Sequence, residues 1–233
     1  MARYLTHDCE TAVPGVADVT LRALLDHRQF DDPHGAALAL GIGSAMWPLF
    51  GLLWPSSVQL AACVAARPLP AGERIVEIGC GLGLASLVGH RRGADITASD
   101  HHPLAGPFLA ANLRLNALAP MKYRHGHWGA SPAQRQQALD QGLLLLRGRF
   151  EHLIGSDLLY ERDERGELAQ FIDRHTTPTA RVWIVDPDRG NRSAFNRHMA
   201  HHGFALTEER LDRAATPHAA AYRGRLLSYR RTG

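Results

Sequence analysis

The sequence predicts a doubly wound α/β fold, in which helices cover both faces of a mostly parallel sheet. Short apolar stretches alternate with segments of helical periodicity between residues 74 and 202, and strands separated by helices pair in parallel. The first apolar stretch, 74–78, runs into a turn with glycines at 79, 81 and 83 that opens a helix. Such a strand, turn and helix N-terminus are typical of the nucleotide-binding edge of a parallel sheet.

Before the first of these strands, the pattern is less regular. Residues 1–45 are predicted to form an N-terminal extension that can serve as a lid, with a helix at 18–28. A domain spanning 46–233 follows. Its first helix is predicted within 49–66, with Pro55 in the first turn, where a missing N–H group costs nothing.

The remaining elements follow the strand and helix alternation. Strands are predicted at 74–78, 95–99, 121–125, 150–156 and 180–186, and helices at 83–92, 103–117, 132–146, 162–174 and 193–202. Two further strands, 204–210 and 224–231, have no helix between them and are predicted to form an antiparallel hairpin at the C-terminal edge, joined by 212–223. The result is a Rossmann-like sheet of seven strands, which binds ligands beyond the carboxyl ends of its parallel strands.

Composition favours an ordinary globular chain, with 233 residues, 45% hydrophobic content and a net charge of +3. The three cysteines form no CxxC pair and the N-terminus has no apolar stretch typical of a signal peptide, so we expect a cytoplasmic protein. Prolines and glycines interrupt the longest apolar region, which predicts no membrane span. The 14 histidines lack the spacing of a closed metal site, so no metal is predicted.

The residues around the glycine turn favour a nucleoside ligand that has no pyrophosphate group. Leu84 stands where a dinucleotide-binding turn needs its third glycine, and Glu77 opens the motif. Asp100 ends the strand at 95–99, where its carboxylate can accept hydrogen bonds from ribose hydroxyls or cap the next helix. An acidic strand end beside a glycine turn suits the mixed charges of S-adenosylmethionine.

These motifs resemble those of a known family. Glu77, Gly79, Gly81 and Gly83 resemble motif I of class I S-adenosylmethionine-dependent methyltransferases, and Asp100 resembles their acidic residue after the second strand. The stretches 53–57, 127–129 and 156–160 resemble signatures of the seven-strand protein lysine and histidine methyltransferases, a lysine methyltransferase-like group with a DxxY motif that includes nicotinamide N-methyltransferase-like proteins. The stretch 186–189 is similar to the Asp-Pro-Gly-Arg of some members, with Asp188 in place of glycine.

The resemblance implies a role for each matching residue. Trp54 would lie near the cofactor, Trp128 would pack against its adenine and Ser156 would line the pocket. Asp157 and Tyr160 would stand at the mouth, where a carboxylate orients the acceptor nitrogen and an aromatic face favours its cationic product. From the residues alone, the tryptophans and Tyr160 are also compatible with core packing, and Asp157 with a helix cap, although the functional roles are favoured. His127 departs from the acidic residue that the group often has before the tryptophan.

The resulting prediction is an S-adenosylmethionine-dependent N-methyltransferase that modifies a lysine or histidine side chain of a protein. A small-molecule N-methyltransferase is one alternative, and a non-catalytic methyltransferase-like binding module is another. Nucleic acid is disfavoured as a partner, because the segment after Ser156 lacks the Pro-Pro-aromatic motif that suits a flipped base. The acceptor, the degree of methylation and the oligomeric state are not predicted.

Overall fold

The computed structural model describes residues 4–215 and 220–231. Its N-terminal segment forms an antiparallel hairpin of β1 (Thr6–Thr11) and β2 (Val19–Leu24), so the helix predicted at 18–28 is wrong. Val19, Leu21 and Ala23 alternate inward and are at most 2% exposed. This period of two is that of a strand, but it extends over only six residues.

The main sheet contains seven strands and confirms the predicted fold class. They are β3 (Arg74–Ile78), β4 (Asp95–Asp100), β5 (Lys122–His125), β6 (Phe150–Ser156), β7 (Thr176–Asp186), β8 (Phe204–Arg210) and β9 (Arg225–Arg231). Their spatial order is β5-β4-β3-β6-β7-β9-β8. The first five strands pair in parallel, whereas β9 pairs antiparallel with both β7 and β8. Residues 216–219 of the stretch predicted to join the edge strands lie outside the described part of the chain.

Helices cover both faces of this sheet. They are α1 (Ala36–Ala39), a 3₁₀ helix (Trp47–Gly51), α2 (Pro55–Ala66), α3 (Leu84–Arg91), α4 (Ala105–Leu115), α5 (Pro132–Asp140), α6 (Glu167–His175) and α7 (Arg192–His201). The helix predicted from 162 begins later because the carboxylate of Asp163 accepts hydrogen bonds from the backbone N–H groups of Glu167 and Leu168, both at 2.9 Å. Within the described residues, every helix is too short or too polar to cross a bilayer.

The two sheet faces carry separate apolar clusters, because adjacent strand residues point to opposite sides. Ile75 and Ile154 pack with α2, α3 and α4, whereas Val76 and Leu153 pack with α6 and α7. The inward residues of β2 belong to the first cluster. Part of the N-terminal extension therefore shares the core of the main domain.

Two asparagine side chains from the α4 region bind the backbone of β2. Asn116 accepts a hydrogen bond from the Thr20 N–H at 3.0 Å and donates one to the Thr20 carbonyl at 2.7 Å. Asn112 accepts one from the Arg22 N–H at 2.7 Å. These amides satisfy backbone groups of the strand edge much as another strand would.

We expect Asn116→Ala to lower the free energy of unfolding by about 1–3 kcal/mol, because the two backbone groups of Thr20 lose their partner. Chemical denaturation measures this change. Arg114→Ala, an exposed change on α4, is the control and should stay within about 0.5 kcal/mol of the unmodified protein. Equal effects of the two substitutions would contradict this role of Asn116.

Candidate functional site

The carboxyl ends of β3, β4 and β6 meet at a cleft of about 200 Å³. Every predicted site residue except Glu77 lines it: Trp54, Gly79, Gly81, Gly83, Asp100, Trp128, Ser156, Asp157 and Tyr160. Parallel strands end at a common sheet edge, so residues far apart in the chain come together here. The structure thus assembles the predicted residues, while the role of each stays a prediction.

The turn between β3 and α3 requires glycine for two reasons. Gly79 and Gly81 have φ angles of +58° and +51°, in the left-handed region that side chains disfavour. A Cβ atom on Gly81 would lie 2.9 Å from the carbonyl oxygen of Phe50, and one on Gly79 would lie 2.5 Å from the side chain of Leu158. A side chain at either position would therefore crowd these neighbours as well as strain the backbone.

Glu77 lies beneath the turn, 2% exposed, and not in the cleft. Its Oε2 atom accepts hydrogen bonds from the backbone N–H of Ser86, at 2.8 Å, and from the Ser86 hydroxyl. Burial raises the pKa of Glu77 to about 7, although the Ser86 hydrogen bonds oppose the shift. Glu77 thus connects the end of β3 to the first turn of α3, and contact with a cofactor stays a prediction.

Asp100 connects the glycine turn to the end of β4. Its Oδ2 atom accepts a hydrogen bond from the Gly81 N–H at 2.8 Å, and its Oδ1 atom accepts one from the His102 N–H at 2.9 Å. Within the described part of the chain, no side chain caps α4, so the helix-cap alternative does not apply. Each carboxylate oxygen can accept more than one hydrogen bond, which leaves capacity for the ribose hydroxyls of the predicted ligand.

Both tryptophans are half-buried at the cleft rather than enclosed in the core. Trp54 precedes α2 and donates its ring N–H to the Leu49 carbonyl at 2.9 Å. Trp128 packs edge-on against Phe171, with ring centroids 6.2 Å apart. Beside it, burial lowers the pKa of His127 to about 4. A neutral imidazole therefore stands where the resembling group often has an acid.

Asp157 adopts a left-handed conformation, with φ of +56°, which aspartate tolerates better than most residues. Its backbone N–H donates to the Val185 carbonyl at 3.0 Å. Its Oδ1 atom accepts a hydrogen bond from Nη2 of Arg189 at 2.9 Å. Its Oδ2 atom is buried and has no hydrogen-bond partner among the described residues. The Asp163 carboxylate accepts hydrogen bonds from the first N–H groups of α6, so Asp157 is not needed for that task.

Arg189 is a cleft residue that sequence reasoning did not include. It lines the cleft beside Asp157 and follows the carboxyl end of β7. The resemblance at 186–189 was the available signal, because that stretch ends in arginine at the same sheet edge. Asp188 has φ of +60°, which explains why the similar motif has glycine there.

Tyr160 lies where the cleft opens into a larger cavity of about 570 Å³. The two spaces share Met46, His101, Trp128, Leu158 and Tyr160. Burial raises the pKa of Tyr160 to about 12, so its phenol stays neutral at physiological pH. Gly41 and Ile42 of the N-terminal extension line the larger cavity. A second molecule can thus reach the cleft past Tyr160.

Comparison with known proteins finds methyltransferases among the similar sequences and structures. No protein-family model matches the chain. Among curated proteins, the chain is 25% identical over 158 residues to the mouse electron transfer flavoprotein beta subunit lysine methyltransferase. The match covers 66% of this chain and 55% of that protein. The Xenopus laevis protein of the same description is 29% identical over 149 residues, which covers 63% of this chain and 55% of that protein. The chain spans about half the length of these relatives.

Solved structures establish the fold. A ribosomal protein L11 methylase from Lactobacillus delbrueckii superimposes with a TM-score of 0.55 at 17% identity, over 78% of this chain and 81% of that one. A magnesium protoporphyrin IX methyltransferase from Synechocystis, solved with bound S-adenosylmethionine, superimposes with a TM-score of 0.55 at 16% identity. The match covers 76% of this chain and 78% of that one. The chain has the class I methyltransferase fold. The fold that the resemblance of its motifs implied is confirmed.

In this methyltransferase fold, the buried Glu77 should make stability depend on pH. Because burial raises its pKa from 4.5 to about 7, protonation favours the folded state. This contribution is fully present below about pH 4.5 and is lost as the pH rises through about 7. Glu77→Gln keeps an acceptor for Ser86 and removes the titration. As the pH rises, the variant should therefore avoid a loss on the order of 3 kcal/mol in the free energy of unfolding.

Urea denaturation at about pH 5 and about pH 8 measures this difference. Glu164→Gln, which changes an exposed carboxyl, is the matched control and should follow the unmodified protein. Parallel pH dependence in Glu77→Gln and the unmodified protein would show that Glu77 titrates normally in the folded state.

Proposed function

We propose that this protein is an S-adenosylmethionine-dependent N-methyltransferase whose acceptor is a lysine or histidine side-chain nitrogen of a protein. The observation that carries this proposal is the meeting of the glycine turn, Asp100 and Asp157 at one cleft. Similarity to curated protein-lysine methyltransferases supports the protein acceptor.

The residues present fit the proposed cofactor. Gly79, Gly81 and Gly83 line the cleft with bare backbone, so the turn can accept a nucleoside closely. Asp100 has acceptor capacity for ribose hydroxyls, and the half-buried Trp128 offers a ring face for an adenine. S-adenosylmethionine, when bound, supplies an electrophilic methyl group on a cationic sulfur.

Asp157 and Tyr160 suit the acceptor side of the reaction. The carboxylate of Asp157, which lines the cleft, can accept a hydrogen bond from the acceptor nitrogen, which orients the nitrogen lone pair toward the methyl group. The neutral ring of Tyr160 offers an aromatic face to the cationic methylated nitrogen. A lysine must lose its proton before it attacks, and solvent in the adjoining cavity can receive that proton.

The larger cavity supports a protein acceptor because it gives a long side chain access to Asp157 past Tyr160. Gly41 and Ile42 line it, which supports the proposal that residues 1–45 form an extension that partly covers the acceptor, next to a methyltransferase domain at 46–233. We also propose a cytoplasmic location, supported by three free cysteines. A small-molecule acceptor is the alternative that the following experiment distinguishes.

Methyl transfer from tritiated S-adenosylmethionine tests the proposal. Two acceptors are offered: the electron transfer flavoprotein beta subunit, which the curated relatives' names specify, and nicotinamide. We expect label in the protein acceptor. Asp157→Asn, which tolerates the left-handed backbone, should lower the rate by about 100-fold or more, while calorimetric affinity for the cofactor changes by less than about 3-fold.

Asp140→Asn on α5 changes an exposed carboxyl and serves as the control, with an unchanged rate. Label in nicotinamide alone would favour the small-molecule alternative. Cofactor binding in the absence of any transfer, to these acceptors or to proteins of a cell lysate, would support a non-catalytic binding module. Absence of cofactor binding would contradict the proposed function altogether.

A further inference from the structure

The cleft contains the positively charged side chain of Arg189, to which the proposed function assigns no role. Among the described residues that line it, the acidic ones are Asp100 and Asp157, and Arg189 is the one lysine or arginine. The Arg189 side chain is 34% exposed, so a ligand in the cleft can reach it. S-adenosylmethionine carries a carboxylate at its amino-acid end, which requires a positively charged or N–H-rich partner.

Arg189 is held in place before any ligand binds. Its backbone N–H donates to Oδ2 of Asp186 at 2.9 Å, and its Nη2 donates to Oδ1 of Asp157 at 2.9 Å. The preceding residue, Asp188, is fixed in turn by Arg210 at 2.7 Å and Arg225 at 2.9 Å. A side chain that is already ordered loses little conformational entropy when it binds a ligand.

The guanidinium also has donors to spare. A guanidinium carries five N–H groups in a planar fork that matches a carboxylate in two-point contact. Its bond to Asp157 uses one of them, and its Nε is buried with no hydrogen-bond partner among the described residues. The Nε atom is closed to solvent, but the side chain as a whole is 34% exposed, so the remaining Nη donors can meet an acceptor oxygen in the cleft.

The N-terminus of α2 faces the same part of the site. Trp54 and Ser57, at the start of this twelve-residue helix, line the cleft, and no side chain caps its first turn. The helix dipole makes such an end favourable for anions, although Pro55 has no N–H and the Ser57 N–H donates to the Trp54 carbonyl at 3.0 Å. Arg189 and the start of α2 thus both favour an anion in this cleft, while Asp100, on β4, would serve the nucleoside.

We propose that Arg189 binds the α-carboxylate of S-adenosylmethionine while it keeps its ion pair with Asp157. One guanidinium then connects the amino-acid end of the methyl donor to the carboxylate that orients the acceptor. This inference rests on the proposed function, because it assigns a part of the same cofactor. It adds a binding residue on the turn after β7 to those on β3, β4 and β6.

Calorimetric titration with two ligands that differ by one group tests this assignment. S-adenosylmethionine has the carboxylate, and decarboxylated S-adenosylmethionine lacks only that group. Arg189→Met should weaken binding of S-adenosylmethionine by about 10-fold to 100-fold, as expected for loss of a charged hydrogen bond. The same substitution should leave binding of the decarboxylated ligand unchanged or slightly tighter. Arg189→Lys, which keeps the charge, should recover part of the lost affinity.

Arg197→Met is the matched control, because Arg197 is exposed on α7 and does not line the cleft; both affinities should be unchanged. Equal weakening of both ligands by Arg189→Met would show that Arg189 shapes the cleft without binding the carboxylate, and would overturn the proposal. No change for either ligand would also overturn it and limit Arg189 to the contact with Asp157. If the unmodified protein binds neither ligand, the proposed function itself fails.

Discussion

The hydrogen bond between the Asp100 carboxylate and the Gly81 N–H, at 2.8 Å, is the contact on which the cleft depends. It joins the glycine turn after β3 to the end of the neighbouring strand β4. The same turn makes such close approaches to Phe50 and Leu158 that neither Gly79 nor Gly81 could carry a side chain. The position of the turn is thus determined from three sides, and the space above it is left open.

Two carboxylates at this sheet edge are held differently, and the difference matches their proposed roles. Both oxygens of Asp100 already accept backbone N–H groups, so its orientation is fixed for a ligand that lies along the turn. Asp157 shares one oxygen with Arg189 and keeps the other unpartnered among the described residues. The Asp157 carboxylate lines the cleft beside Tyr160, on the side from which an acceptor nitrogen would approach.

Much of the fold could be predicted because the parallel strands are buried on both faces and form apolar runs of distinctive length. β6 has the predicted bounds, and the glycine turn and Asp100 follow from the regular geometry of a strand, turn and helix unit.

The hairpin strand β2 was mistaken for a helix because six alternating residues give too short a pattern. Arg189 was missed as a site residue because its contact with Asp157 joins the ends of separate strands and depends on sheet order. The neutral state of His127 depends on its burial in the folded protein, which could not be predicted from the sequence.

The most direct test of the account is a crystal structure of the protein with S-adenosylhomocysteine, the product of methyl transfer. The account predicts ribose hydroxyls within hydrogen-bond distance of Asp100, an adenine against Trp128, and the ligand sulfur between the glycine turn and Asp157. A ligand bound elsewhere, or one in this cleft with its ribose remote from Asp100, would contradict the central claim that this turn and this carboxylate form the cofactor site.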